Sequence, residues 1–326
     1  MVRKTRLIIN PNEIKYLHGF LKDLIMLNNS KTSLGITLNV IASILFASMF
    51  GYTSLLDTLK SNEMYGWRIL LTLPCLTLFI ILKGNWYQIN SIYKRLFQDR
   101  YFFLTRIFSS FLIGIQLWLF MWAPTNGYGI DVSLGYFIMP IVMVIIGRIA
   151  FKEKMTKLQN IACIFAILGI INMVLVAKTF TWPTLLICLG YPIYFWLRQK
   201  TQTNNIGGLW FDMLLSLPIS LYFIFKGNIG SAELISDPEI IWLILGLGLI
   251  SALALGFQSL SAPYLNLTLF GLLVYVEPVF LLAVSILLGY SIQTAEWPTY
   301  IAIWLAVLIL IIEGILQLKK FKKVEV

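Results

Sequence analysis

From residue 240 to residue 288 the only charged side chain is Glu277. A helix crosses the ~30 Å hydrocarbon layer in about 20 residues, so a stretch of this length is too long for one crossing. Ala262-Pro263-Tyr264-Leu265-Asn266 supplies the turn that makes it two, because proline stops a helix and the flanking polar groups tolerate an interface. The apolar runs are unbroken, with none of the alternation of an outer-membrane barrel strand, so helices are expected throughout. Composition agrees. Apolar residues make up 59% of the 326, charged residues 12%, and mean hydropathy is +0.82. A soluble surface needs about twice that share of charge.

The same reading along the chain predicts an all-α membrane protein with ten transmembrane helices. The spans are placed at 34–56, 65–83, 103–123, 132–151, 158–177, 182–199, 207–225, 239–262, 266–288 and 297–318. Residues 1–33 form a tail in which Ile14, Leu17, Leu21, Leu24 and Ile25 recur at helical spacing, the pattern of an amphipathic helix lying in the membrane interface. No apolar core directly follows the first basic residues, as a cleaved signal peptide would require. Residues 319–326 form a basic C-terminal tail.

Charge sets the orientation. Of the 25 Lys and Arg, only Lys60, Lys178 and Lys226 fall in loops on one side, and Arg68, Arg106 and Arg148 fall within spans. All the others lie in the two tails, in the loops on the opposite side or, for Lys83 and Arg198, at the span ends that meet those loops. The positive-inside rule therefore predicts both termini in the cytoplasm and an even number of crossings. It also accounts for the net charge of +10 without nucleic acid. Cys75, Cys163 and Cys188 all fall in apolar runs and read as small core residues, not as a disulfide or metal framework.

The two halves resemble each other. Gly51-Tyr52 recurs as Gly190-Tyr191, Leu70-Leu71-Thr72-Leu73-Pro74 as Leu214-Leu215-Ser216-Leu217-Pro218, Ala123-Pro124 as Ala262-Pro263, and Pro140 as Pro278. The order is kept and the offset is nearly constant, so the halves read as repeats: 34–177 and 182–318. Each holds five spans. An odd number inserts the second half upside down relative to the first, and inverted repeats are typical of secondary transporters, which bind their substrate near the midplane where the halves meet.

The segment Trp118 to Lys157 resembles the third and fourth spans of EamA-domain transporters of the drug/metabolite transporter superfamily, and within it most resembles the RarD-like branch. Ser133-Leu134-Gly135-Tyr136-Phe137 and Pro140 carry the resemblance, joined in the second half by Leu272-Leu273-Val274-Tyr275-Val276-Glu277-Pro278. It covers residues 34–317 and implies a ten-helix inverted-repeat fold with a central cavity. It also implies export of a small metabolite or drug across the bacterial plasma (inner) membrane. The Gly-Glu pair usual after the fourth span stands here as Lys152-Glu153; after the ninth it is Gly289-Tyr290, which leaves no carboxylate there.

An ionisable group within a span is costly and needs a reason. Glu277 lies near the middle of the ninth span, where it is expected to bind a cationic substrate or carry a coupling proton; a carboxyl bonded to a neighbouring helix is the plainer reading. Arg68, which matches an arginine carried by many relatives, is expected to attract an anionic group or to snorkel to the interface. The repeat places Asp212 at the matching position of the other half, with no direct pair implied. Arg106, Arg148 and Glu313 lie nearer span ends and are expected to snorkel. Gln116, Tyr136, Tyr191 and Gln258 complete the expected cavity lining, although tyrosines also form interfacial belts and glutamines bridge helices. Tyr191, Tyr194 and Arg198 share a face around Pro192, and Trp118 and Trp122 share one by their spacing.

The only histidine, His18, lies in the tail, and no HExxH, nucleophile elbow or acid-rich metal motif stands in the sequence. A membrane enzyme or an assembly factor is the rival class, and the latter predicts no cavity between the halves. A Gly-rich phosphate loop for ATP-driven transport and the continuous polar lining of a channel are both missing. No cofactor is expected. The partners are a small organic solute, membrane lipid and protons as a coupling ion; monomer and homodimer both fit.

Overall fold

A computed structural model describes residues 11–177, 181–227, 238–287 and 293–322. Twelve helices account for most of them: α1 (Pro11–Tyr52), α2 (Ser61–Leu82), α3 (Trp86–Gln98), α4 (Arg100–Thr125), α5 (Gly129–Ala150), α6 (Lys157–Ala177), α7 (Trp182–Lys200), α8 (Ile206–Phe225), α9 (Pro238–Ser261), α10 (Leu267–Val274), α11 (Val276–Leu287) and α12 (Trp297–Lys322). No strand occurs among the described residues. Among the described residues, nine segments are long and apolar enough to cross a membrane. Helix α7 covers the expected sixth span, but Tyr, Pro, Arg and Lys in its second half keep it outside that set.

Several details differ from expectation. The helix of the N-terminal tail runs without a break into the first span as α1. The segment between α2 and α4, read as a loop, holds α3. Its Ile89 and Ile92, one helical turn apart, are buried, while Trp86, Tyr87, Tyr93 and Phe97 are exposed. That is the pattern of a helix with an apolar surrounding on one side and the protein on the other. The ninth span is two helices: Tyr275 is a turn between α10 and α11, and its hydroxyl donates to the Phe137 carbonyl of α5 at 2.9 Å, tying the break to its neighbour. Pro278 has no N–H, so the Val274 carbonyl four residues earlier has no donor from it. The turn expected around Pro263 is present, a 3-10 turn at Ala262–Tyr264 followed by Asn266, whose side chain accepts from the Leu269 N–H at 2.8 Å and caps α10.

Burial is arranged for lipid. Large apolar side chains such as Leu82, Ile149, Leu175, Phe225, Trp242 and Leu287 face outward on helix after helix, an exposure no soluble surface of this size carries. Inside lie Arg68, Arg106, Arg198, Asp212 and Glu277. The helices pack chiefly in pairs: α6 along α12, α2 along α8, α1 along α9 and α11, α5 along α7 and α10, α4 against α7 and α8, and α9 against α2. One end of this bundle carries the basic loops around Lys83–Arg100, Lys152–Lys157 and Arg198–Asn205; it is called the basic face below.

Candidate functional site

Arg68 stands two turns into α2 and is 1% exposed. Its Nε donates to Ser251 Oγ of α9 at 2.9 Å, and Thr72 Oγ1 donates to the same oxygen at 3.0 Å. The guanidinium carbon lies 5.6 Å from the Phe120 ring centroid. One edge of the group is thus fixed, while Nη1 has no hydrogen-bond partner. A buried unsatisfied donor costs free energy unless water or a ligand meets it.

Arg68 faces a small enclosed cavity that it shares with Tyr136 of α5, Tyr191 of α7, Gln258 of α9 and Glu277 of α11. Phe46, Leu117, Phe120, Met139, Phe195 and Val274 supply the apolar walls. The Tyr136 hydroxyl is also buried without a partner. Its ring lies 6.0 Å from that of Tyr191, which in turn stacks on Phe195 at 6.2 Å. Glu277 sits in the first turn of α11, directly beyond the Tyr275 break, and is buried. Arg68 and Glu277 do not close into a direct ion pair. The free volume is about 20 Å³, room for about one water.

At the end of the bundle away from the basic face, a vestibule of about 450 Å³ adjoins this cavity. It is lined by Gly129 and Ser133 of α5, Pro278 and Leu282 of α11, and Glu296 and Tyr300 beside and on α12. Phe120 and Tyr136 line both spaces and form the partition between them.

Toward the basic face the bundle is held by polar contacts. Asp212 of α8 pairs with Arg106 of α4, and its carboxylate also accepts from Ser110 Oγ at 2.8 Å and Tyr194 OH at 2.9 Å. Arg198 donates to Tyr194 OH at 2.7 Å and to the Thr203 carbonyl at 3.0 and 2.9 Å. Nearby, the Glu153 carboxylate accepts the first backbone N–H groups of α10, Leu267 at 2.9 Å and Thr268 at 2.7 Å. Gly147 makes room for that meeting. A Cβ there would lie 2.6 Å from Glu153 Oε2 and 2.5 Å from Thr268 Oγ1.

The expected site residues therefore divide. Arg68, Tyr136, Tyr191, Gln258 and Glu277 line one cavity. Asp212 does not; it is neutralised in the cluster with Arg106. Gln116 does not either: its Nε2 donates to the Leu186 carbonyl at 2.6 Å as it passes over Gly190, where any Cβ would collide with it. It joins α4 to α7. Arg68 does not reach an interface, and the snorkelling expected of Arg106 and Glu313 is not found. Arg106 is 2% exposed and paired inside the bundle, and Glu313 accepts from Thr156 at 2.8 Å and Gln159 at 3.3 Å. The arginine lacks the solvent path that snorkelling needs, and a buried aspartate supplies the countercharge instead. Arg148 is exposed. Trp118 and Trp122 stack at 4.9 Å, as their spacing implied. Nothing in the sequence marks the partition residue Phe120, and Glu153 stands out in it only through the variant Lys152-Glu153 motif. The region after the ninth span, Gly289-Tyr290, lies outside the described residues. No group of metal-ligating side chains occurs among the described residues.

Apolar helices facing outward around a small, charge-bearing cavity define a multi-pass helical membrane protein. Residues 33–175 match the model of the EamA-like transporter family. Over its length the chain is similar to the chloramphenicol-sensitive protein RarD of Pseudomonas aeruginosa, with 36% identity over 84% of this chain and 92% of that protein. It is 32% identical to an uncharacterized transporter of Pasteurella multocida over 88% of this chain and 98% of that one. It is 24% identical to the protein RarD of Escherichia coli over 90% and 99% respectively. The chain belongs to the EamA-like transporter family, in its RarD-like group, and is a multi-pass membrane transporter.

Proposed function

We propose that the protein is a secondary transporter that exports a small organic solute by alternating access between two inverted five-helix halves, 34–177 and 182–318. In this reading α7 is the tenth crossing and both termini are cytoplasmic, so the basic face is the inner one. The observation that carries the reading is the cavity itself, where Arg68 and Tyr136 of the first half meet Tyr191, Gln258 and Glu277 of the second. Packing supports it. Exchanging the halves turns the contact of α1 with α9 into that of α7 with α4, and α5 with α7 into α11 with α1. The same exchange turns α9 with α2 into α4 with α8 and leaves α2–α8 and α6–α12 as they are. Even the hydrogen bond of Arg68 to Ser251 has its counterpart in Asp212 with Ser110.

The vestibule on one side and polar contacts on the other fit an outward-facing, centrally occluded state. Glu277, faced by Arg68, Tyr136 and Tyr191, carries the coupling proton. It takes a proton from the outer side as solute leaves and gives it up on the inner side before solute binds. The test is comparison of metabolites in cells with and without the gene, followed by solute uptake into inside-out vesicles under an imposed proton gradient. Accumulation of one solute that needs the intact chain supports export. Identical profiles across growth conditions, with no uptake, refute it.

A further inference from the structure

We infer that an anionic phospholipid binds in a cleft between α3, α4 and α8 at the basic face, its phosphate on Arg100 and one acyl chain along Phe103, Ile107 and Trp210. The inference rests on the membrane fold alone and is independent of the transporter reading. It starts from α3. Ile89, Tyr93, Leu96 and Phe97 recur at i, i+4, i+7 and i+8, which is one face of a helix, while Lys94 lies off it. Beyond the buried Ile89 this face does not close onto its neighbours. It walls a cleft of about 590 Å³, whose other sides are Phe103 and Ile107 of α4 and Trp210 and Leu214 of α8. Phe97 is 77% exposed and Phe103 44%, so the cleft opens sideways to the bilayer. It shares no lining residue with the central cavity.

Charge selects the occupant. Arg100 and Arg106 line the cleft, and no carboxylate does. Arg106 is neutralised by Asp212, and its Nη1 donates to Thr203 Oγ1 at 3.0 Å and its Nη2 to Ser109 Oγ at 3.3 Å. Its buried Nε has no hydrogen-bond partner, a donor that an ester carbonyl of the glycerol backbone can meet. Arg100 opens α4, is exposed and makes no ion pair among the described residues. The neighbouring Asp99 carboxylate is committed to capping α4, accepting from the Tyr101 N–H at 2.9 Å and the Phe102 N–H at 3.2 Å. Arg95 is turned to the Thr201 carbonyl at 2.9 Å. An unpaired guanidinium at the mouth of an apolar cleft fits a molecule with an anionic head and a hydrocarbon tail. From Arg100 to Ile107 the helix rises about 10 Å, more than the ~5–8 Å headgroup layer. A phosphate on Arg100 therefore leaves its chain at the depth of Ile107.

Native mass spectrometry tests this on the purified full-length protein, released from nanodiscs that hold equal amounts of phosphatidylglycerol and phosphatidylcholine with identical chains. The expected result is one phosphatidylglycerol retained over phosphatidylcholine by about fivefold or more. Arg100→Gln is expected to abolish that preference. Ile107→Trp, which fills the cleft and keeps both arginines, is expected to lose the retained lipid. Lys157→Gln removes a charge elsewhere on the basic face and is expected to change neither. All three replaced side chains are exposed, and the wild-type comparison needs no variant to fold. No preference for phosphatidylglycerol in the wild type overturns the inference. So does a preference that survives Arg100→Gln, or that Lys157→Gln weakens as much, since the lipid is then a diffuse layer on a basic surface. Retention unchanged in Ile107→Trp puts the lipid outside the cleft and overturns it as well.

Discussion

Replacing Glu153 with Gln exchanges one carboxylate oxygen for an amide nitrogen and leaves the volume unchanged. In the wild type both oxygens accept backbone N–H groups at the start of α10, from Leu267 at 2.9 Å and Thr268 at 2.7 Å. Hydrogen bonds to a charged group contribute about 1.5–3 kcal/mol each, and the negative charge at a helix N-terminus adds about 0.3–1 kcal/mol. Gln keeps one acceptor, loses the charge and turns an –NH2 toward a backbone donor. A loss of about 2 kcal/mol follows for the state in which this contact is made. If opening the basic face separates Glu153 from α10, the equilibrium between the two faces moves about 30-fold toward the basic-face-open state. The assay is alkylation of single cysteines, in a chain freed of Cys75, Cys163 and Cys188, at Ser133 in the vestibule and at Ser259 near the basic-face cluster. Glu153→Gln is expected to slow alkylation at position 133 and speed it at 259. Unchanged rates at both, in a variant that unfolds at the wild-type temperature, would refute the assignment of Glu153 as a clamp.

Other perturbations have equally definite outcomes. Arg106→Leu leaves the Asp212 carboxylate buried without its countercharge, which costs about 3–5 kcal/mol; a lowered unfolding midpoint, largely restored in Arg106→Leu/Asp212→Leu, is expected. Gly190→Ala drives a methyl into Gln116 and destabilises by about 1–3 kcal/mol; in a Gln116→Ala background, thermal unfolding is expected to show most of that loss relieved. Glu277→Gln removes the proton exchanged in each cycle, so vesicle flux is expected to lose its dependence on pH and on the imposed gradient. Flux that stays gradient-driven in this variant excludes Glu277 as the coupling group.

Nine of the ten expected crossings were legible because hydrocarbon imposes a length and a composition that sequence displays directly, and because proline and asparagine mark the turn before α10; α7 stands outside that set. Shorter or tertiary features were not. Helix α3 carries the helical period at Ile89, Ile92 and Leu96, but over a segment too short and too charged to register as a span. Pro140 and Pro278 occupy matching positions, yet α5 runs unbroken through its proline while the ninth span breaks at Tyr275. Packing, including the bond of Tyr275 to Phe137, decides between them. The rule that a charge inside a membrane demands a partner singled out Arg68, Asp212 and Glu277 alike. It does not say which partner, and only the crossing of α4 over α8 shows Asp212 satisfied by Arg106 while Arg68 keeps a free edge. Gln116 was misplaced for a related reason: an amide that bonds a carbonyl beneath a glycine has no signature along the chain.

Paired spin-label distances probe most directly whether two oppositely inserted halves rock about one pocket. One pair, Asn126 with Thr294, spans the vestibule mouth between the end of α4 and the start of α12; its repeat-related pair, Lys154 with Asn266, spans the clamp at the basic face. Pulsed dipolar spectroscopy in nanodiscs is expected to give two populations at each pair. As Glu153→Gln is introduced, the first distance shortens in the same proportion of molecules in which the second lengthens. Distances that stay single and fixed at both pairs, or that lengthen together, would contradict alternating access in this protein.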